Sequence, residues 1–136
     1  DSNYSYRVYF EINKPWQYEV DFEKVGDYYF NHEQFDKALF YYSALVGHNY
    51  TPGSHKTTSI KIINTYAELN LPCLVVNYLE ILLEWKNKIG TNFFEDDLAD
   101  LDFNFFNTNP HFRSIRTSPE FKSLMKKHFP DQYKEK

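Results

Sequence analysis

An all-α fold of about five to six helices is what this 136-residue chain predicts. Three observations carry that prediction. Apolar residues recur at three- and four-residue steps along most of the chain, which is the period of a helix face. Glycine and proline number only 4 and 6, too few for the many tight turns of a β-sandwich or barrel. Helix-start signals, a polar capping side chain with proline close behind, occur at Asn13 and Pro15, at Asn109-Pro110 and at Ser118-Pro119.

The first fourteen residues depart from this pattern. Tyr4, Tyr6, Val8, Phe10 and Ile12 alternate as in a strand, but no partner strand follows within hairpin distance. The segment 1–14 is therefore expected to be an extended arm, or the remnant of an upstream module. Asn13 and Pro15 then open a first helix, with Trp16, Val20, Phe22, Val25, Tyr28, Tyr29 and Phe30 at helical spacing up to His32. A second helix is predicted over Phe35–Val46, closed by Gly47 as a left-handed cap. His48 to His55, with Pro52 and Gly53, reads as a loop. Ile60, Ile62, Ile63, Tyr66, Ala67 and Leu69 mark a third helix. After the turn Asn70-Leu71-Pro72, a fourth runs to about Lys88. Leu74, Val75, Val76, Tyr78, Leu79, Ile81, Leu82, Leu83 and Trp85 make this helix apolar on nearly all sides, so it is expected at the centre of the packing.

Beyond Gly90 the chain turns acidic and aromatic, from Phe93 to Phe106. Glu95, Asp96, Asp97, Asp100 and Asp102 read as the acidic first turn of a helix capped by Thr91 or Asn92. They lack the glycine that a calcium loop needs. Two helix starts follow, each with a phenylalanine two residues after proline: Asn109-Pro110-His111-Phe112 and Ser118-Pro119-Glu120-Phe121. These rings should be buried anchors. The last helix, Pro119 to about His128, ends in Lys126, Lys127 and His128, which complement its dipole. Residues 131–136 are expected to fray.

The aromatic share, 20% with 13 Phe and 12 Tyr, is high, and only Ala38, Ala44, Ala67 and Ala99 supply small apolar side chains. Rings are therefore expected to fill the core. Net charge is −4, which offers no basic field to a nucleic acid backbone. No run reaches the ~18 apolar residues of a membrane span. Cys73 is the only cysteine, so neither an internal disulfide nor a thiolate zinc site is available. Its apolar neighbours Leu71, Leu74 and Val75 predict a buried, inert thiol. That usage suits the cytoplasm and equally a cysteine-poor exported or periplasmic chain, so location stays open. The first residue, Asp1, suggests a processed or partial chain.

Phe22-x2-Val25-Gly26-x2-Tyr29, followed nine residues after the tyrosine by Ala38-x3-Tyr42, resembles a tetratricopeptide repeat. The pattern has a packing reason: Gly26 and Ala38 are small where two antiparallel helices meet, and Phe22, Tyr29 and Tyr42 fill the space around them. Ile62-Ile63-x2-Tyr66 and Val75-x3-Leu79 repeat the nine-residue step, with Tyr66 standing 37 residues after Tyr29 against the usual ~34. Ile63 and Val75 replace the small pair, so a wider crossing is expected. The phrase from Asn109 to Met125 is similar to the closing segment of many bacterial proteins of this class. The resemblance implies one TPR-like domain over 15–130: repeat 1 at about 16–47, repeat 2 at about 56–88 and a capping tail at about 93–130. By the same resemblance a ligand would lie on the first helix of each pair, on Val20, Glu23, Asp27, Phe30 and Asn31, then Ile60, Asn64 and Glu68.

No phosphate-binding loop, nucleophile elbow or histidine–carboxylate phrase is present, and His32, His48, His55, His111 and His128 lack metal-ligand spacing, so they read as surface residues. The expectation is a non-catalytic scaffold that holds a protein or peptide segment and needs no cofactor or metal. Nucleic acid and membrane insertion are not expected. Glu23 and Asp27 stand where chaperone-binding members would place lysine and asparagine, so a basic or neutral segment is expected rather than an acidic one. The alternative is an accessory helical domain of a larger enzyme, sensor or envelope protein, packed within its own chain against an upstream domain.

Overall fold

A computed structural model describes residues 15–46, 56–89 and 101–134, and within them it leaves undescribed the side chains of residues 15–21, Val46, Lys56, Trp85, Lys88 and Ile89. Several expectations lie outside the described residues: the arm 1–14, the Gly47 cap, the loop carrying His48, Pro52 and His55, the run from Glu95 to Asp100, and the Thr91 or Asn92 cap. Six α-helices and one 3₁₀ turn make up the described part, so the all-α expectation holds there. They are α1 (Pro15–Asn31), α2 (Phe35–Val46), α3 (Lys56–Glu68), α4 (Pro72–Ile89), α5 (Phe103–Thr108), the 3₁₀ turn Pro110–Phe112, and α6 (Pro119–His128). Where the sequence reading draws a single helical domain, the residues group into two compact units, Asp1–Tyr50 and Thr51–Lys136.

In the first unit α1 packs on α2 through aromatic rings. Phe22 and Tyr41 are buried, with Val25, Tyr29, Ala44 and Leu45 half-buried around them. Tyr29 stacks on Tyr41 at 5.6 Å between ring centroids and 15° between planes. Ala38 and Tyr42 are fully inside as well. Gly26 sits directly under the Tyr42 ring, so the two helices approach closely where the sequence is smallest.

The second unit is built around α3, α4 and the tail. Ile63, Ala67, Val75, Leu79, Leu82 and Leu83 form one cluster with Leu101, Phe106, Phe112, Ile115, Phe121, Leu124 and Met125. Thus Phe112 and Phe121 are the buried anchors that their prolines announced, and they meet edge to face at 5.8 Å. Aromatic contacts of this kind add about 0.5–1.5 kcal/mol beyond burial. The starts are capped by side chains: Asn109 Oδ1 accepts from His111 N at 2.9 Å, and Ser118 Oγ from Phe121 N at 3.2 Å. Only the second start opens an α-helix, since the first is a single 3₁₀ turn. Asp102, expected within an acidic first turn, is itself the N-cap of α5 and accepts from Phe105 N at 2.9 Å. The terminal residues, expected to fray, are tied back as far as Tyr133, whose N–H donates to Phe129 O at 2.9 Å and whose ring packs on the core.

Two further expectations change. The fourth helix is buried on one side only: Leu74 and Ile81 are 44% exposed, and Leu71 before the helix is 38% exposed. Cys73 is exposed, not buried. It lies two residues, or about 200° of helix, before the inward Val75, so its apolar neighbours in sequence do not surround it in space.

The two helix pairs share one turn. At the end of α1, Glu33 N donates to Phe30 O at 3.0 Å and Gln34 N to Tyr29 O at 2.9 Å. At the end of α3, Asn70 N donates to Ala67 O at 2.9 Å and Leu71 N to Tyr66 O at 3.0 Å. Both patterns are Schellman caps, and their left-handed residues Glu33 and Asn70 have φ of 59° and 57°. Glu33 and Asn70 are 37 residues apart, the same step that separates Tyr29 from Tyr66.

Candidate functional site

The residues expected to receive a ligand divide between the units, and each group is described in its own unit. Glu23, Asp27, Phe30 and Asn31 lie along α1 at steps of four, three and one, which keeps them on one face. Asp27 meets the Tyr42 hydroxyl. Tyr42 Oη donates to Asp27 Oδ1, a bond across the helix pair. Burial, then that bond and the charges of Asp27 and Glu23, push the Tyr42 phenol far above its ordinary range. Phe30 sits edge-on to Phe35 at 5.1 Å, while Asn31 is exposed at the helix end. Beside this row Tyr28 is 57% exposed, with its ring 4.3 Å from that of His32.

The α3 residues are engaged by the chain's own tail. Ile60 is half-buried against the core. Asn64 Oδ1 accepts from Asn109 Nδ2 at 2.9 Å, and Glu68 Oε2 pairs with His111 Nδ1 at 2.8 Å. Ser114 Oγ donates to Ala67 O at 3.2 Å. Three tail side chains therefore cover the polar groups on the last turns of α3. Arg116 fixes this arrangement from behind. Its guanidinium donates to the carbonyls of Asn109 and Phe106 at the end of α5, and the Asn109 carbonyl also accepts from Phe112 N at 3.1 Å. Burial, followed by the nearby charge of Arg113, holds Arg116 below its ordinary value. An open cleft of about 480 Å³ remains, bounded by Glu68, Pro110, His111, Arg113 and Ser114.

His128, expected at the surface, is a second link between tail and helix pair. Its side chain is 11% exposed and its Nε2 lies 2.8 Å from Glu80 Oε1, which Lys127 Nζ also reaches at 2.8 Å. Burial raises the Glu80 carboxyl, but the bonds and charges of His128 and Lys127 outweigh it and the net shift is downward.

The sequence singled out Glu68 and Asn64 as candidates but did not point to Asn109, His111, Arg113 and Ser114 as their neighbours. The phrase Asn109-Pro110-His111 was legible as a helix start. Its reach back to residues more than forty positions earlier carries no local signal. Among the described residues no group of three His, Cys, Asp or Glu could hold a metal ion, and no helix is long and apolar enough to cross a membrane. No protein-family model, curated protein or solved structure matches the chain.

Proposed function

We propose that the chain is a non-catalytic protein-interaction module of TPR-like helical-repeat type, which holds an extended, basic or neutral protein segment on the α1 face. One observation supports this reading most: the same Schellman turn joins the helices of both pairs at a 37-residue step, as repeats of one hairpin would share. The charge preference follows from Glu23 and Asp27, one turn apart on α1, with Tyr28 offering an exposed ring beside them. A peptide array read with the wild type and with Glu23→Lys/Asp27→Asn tests it. Basic and neutral peptides should bind the wild type and lose their advantage on the variant. Preference for acidic peptides by the wild type, or an unchanged profile of the variant, defeats the reading.

A second reading is supported by the exposed aliphatic side chains of Leu74 and Ile81 on α4, seven residues apart, with Leu71 exposed just before the helix. Such side chains suit an accessory domain packed against an upstream domain of its own chain. Sedimentation separates the two readings. An isolated chain that self-associates, and becomes monomeric with Leu74→Lys/Ile81→Lys, favours the accessory role.

A further inference from the structure

We propose that the cleft bounded by Glu68, Pro110, His111, Arg113 and Ser114 binds a carboxamide group of a protein segment, with its oxygen on Arg113 and its N–H on Glu68. The inference rests on the protein-binding reading above and assigns the second unit its own ligand chemistry.

The argument begins with charge. Arg113 makes no hydrogen bond or ion pair among the described residues, although Glu68 borders the same cleft. The neighbouring Arg116 is already used, since its guanidinium holds the carbonyls of Asn109 and Phe106. Glu68 is held in place by His111 through Oε2. The cleft thus has one fixed acceptor and one donor-only cation, on walls that do not neutralise each other directly. The five N–H groups of Arg113 donate to any oxygen, and the Glu68 carboxylate accepts from any N–H.

Ligand classes can be ranked on this pair. A carboxylate gains from Arg113 and is repelled by Glu68, and an ammonium meets the reverse. A carboxamide presents acceptor and donor together, satisfies both walls and brings no charge that must be desolvated. Pro110 supplies an apolar surface for the adjoining methylene groups. The cleft volume, about 480 Å³, lies within the range of small-ligand pockets. The amide could come from an Asn or Gln side chain or from the main chain itself.

The test titrates four capped tripeptides, Ac-Gly-X-Gly-NH2 with X as Gln, Glu, Lys or Ala, into the full chain, followed by amide chemical shifts. Gln should bind tightest, with shifts centred on Glu68, His111, Arg113 and Ser114. An Ala peptide that matches Gln assigns the site to main-chain amides and also supports the proposal. Glu68→Gln should move the preference to the Glu peptide by about tenfold, and Arg113→Gln should move it to the Lys peptide by a similar factor, about 1.4 kcal/mol each. Preference of the wild type for Glu or Lys, variants without effect, or shifts absent from these residues would overturn it. A Lys peptide that shifts only the α1 face, sensitive to Glu23→Lys, would leave the α1 reading standing while the cleft assignment falls.

Discussion

Gly26 lies so close beneath the Tyr42 ring that a β-carbon there would come within 2.5 Å of Cε1. In a helix interior, alanine is ordinarily preferred over glycine by about 0.5–1 kcal/mol. Here the sign reverses, because the neighbour is an aromatic ring whose hydroxyl is fixed on Asp27 and which cannot swing away. Gly26→Ala should lower the melting temperature, and Gly26→Leu should cost about 1–3 kcal/mol or more. Thermal unfolding followed by circular dichroism measures both, and a raised melting temperature for Gly26→Ala would refute the close crossing.

The Tyr42 phenol carries a pH prediction. Its pKa is raised in the folded state, by burial first and then by the bond to Asp27. Above about pH 10 the unfolded chain releases this proton while the folded chain retains it. Stability contributed by the neutral phenol is therefore complete below pH 10 and is lost as pH rises further. Tyr42→Phe should cost about 1–2 kcal/mol at pH 7, because Asp27 loses a donor, and its loss of stability above pH 10 should be shallower than that of the wild type. Urea unfolding at pH 7, 9.5 and 10.5 gives the comparison, and parallel curves would count against it.

How much of this was legible beforehand depends on the range of the interaction. The bounds of α2, the proline-led starts and the burial of Phe112 and Phe121 were legible, since caps and helical period act within a few residues. Cys73 was not, because composition around a residue does not say which side of the helix it occupies. The two units also solve one packing problem in opposite ways. At the 37-residue step, Ile63 stands for Gly26 and Leu79 for Tyr42, so a small–large pair is replaced by two middle-sized side chains, and all four positions are buried. The two pairs therefore differ in sequence at these packing positions, although their turns are alike. The tail contacts to Asn64, Glu68 and Glu80 were illegible because their partners are more than forty residues away.

Glu80 gives the acid counterpart of Tyr42. The bonds and charges of His128 and Lys127 lower its carboxyl against the opposing effect of burial. Its contribution is then present above the unfolded carboxylate value near pH 4.3 and disappears as pH falls through the lower folded value. Glu80→Gln should melt below the wild type at pH 7, and the gap should close as the pH is taken below 4. A gap that is constant from pH 7 to pH 3 would show that the ionic link contributes nothing.

Removing the tail tests whether it is part of the second unit's core. Truncation after Ile89 deletes Leu101, Phe106, Phe112, Ile115, Phe121, Leu124 and Met125, which are buried against Ile63, Val75, Leu79 and Leu82. The exposed face would be continuous and apolar, and such faces aggregate. A less drastic change, Phe112→Ala, should cost about 3–5 kcal/mol. Light scattering on the truncated chain and chemical unfolding of the variant provide the readings. A soluble, monomeric, cooperatively folding 1–89 chain would contradict the packing described.

The left-handed turn residues supply a prediction of the opposite sign. Glu33 has φ of 59°, a conformation that costs an ordinary L-residue roughly 1–2 kcal/mol and glycine almost nothing. Asn70, at φ of 57°, occupies the equivalent place in the second pair, and asparagine tolerates this region better than glutamate. Glu33 is exposed, and what the turn requires of it is its N–H to Phe30 O, which glycine would keep. Glycine gains the relief of backbone strain and loses part of it to the greater freedom of the unfolded chain. The net effect of Glu33→Gly should be a stabilisation of about 0.5–1 kcal/mol, larger than that of Asn70→Gly. Paired melts of the two variants decide it. A lower melting temperature for Glu33→Gly, or a larger gain for Asn70→Gly, would mean that the turn is not closed by a left-handed cap at Glu33.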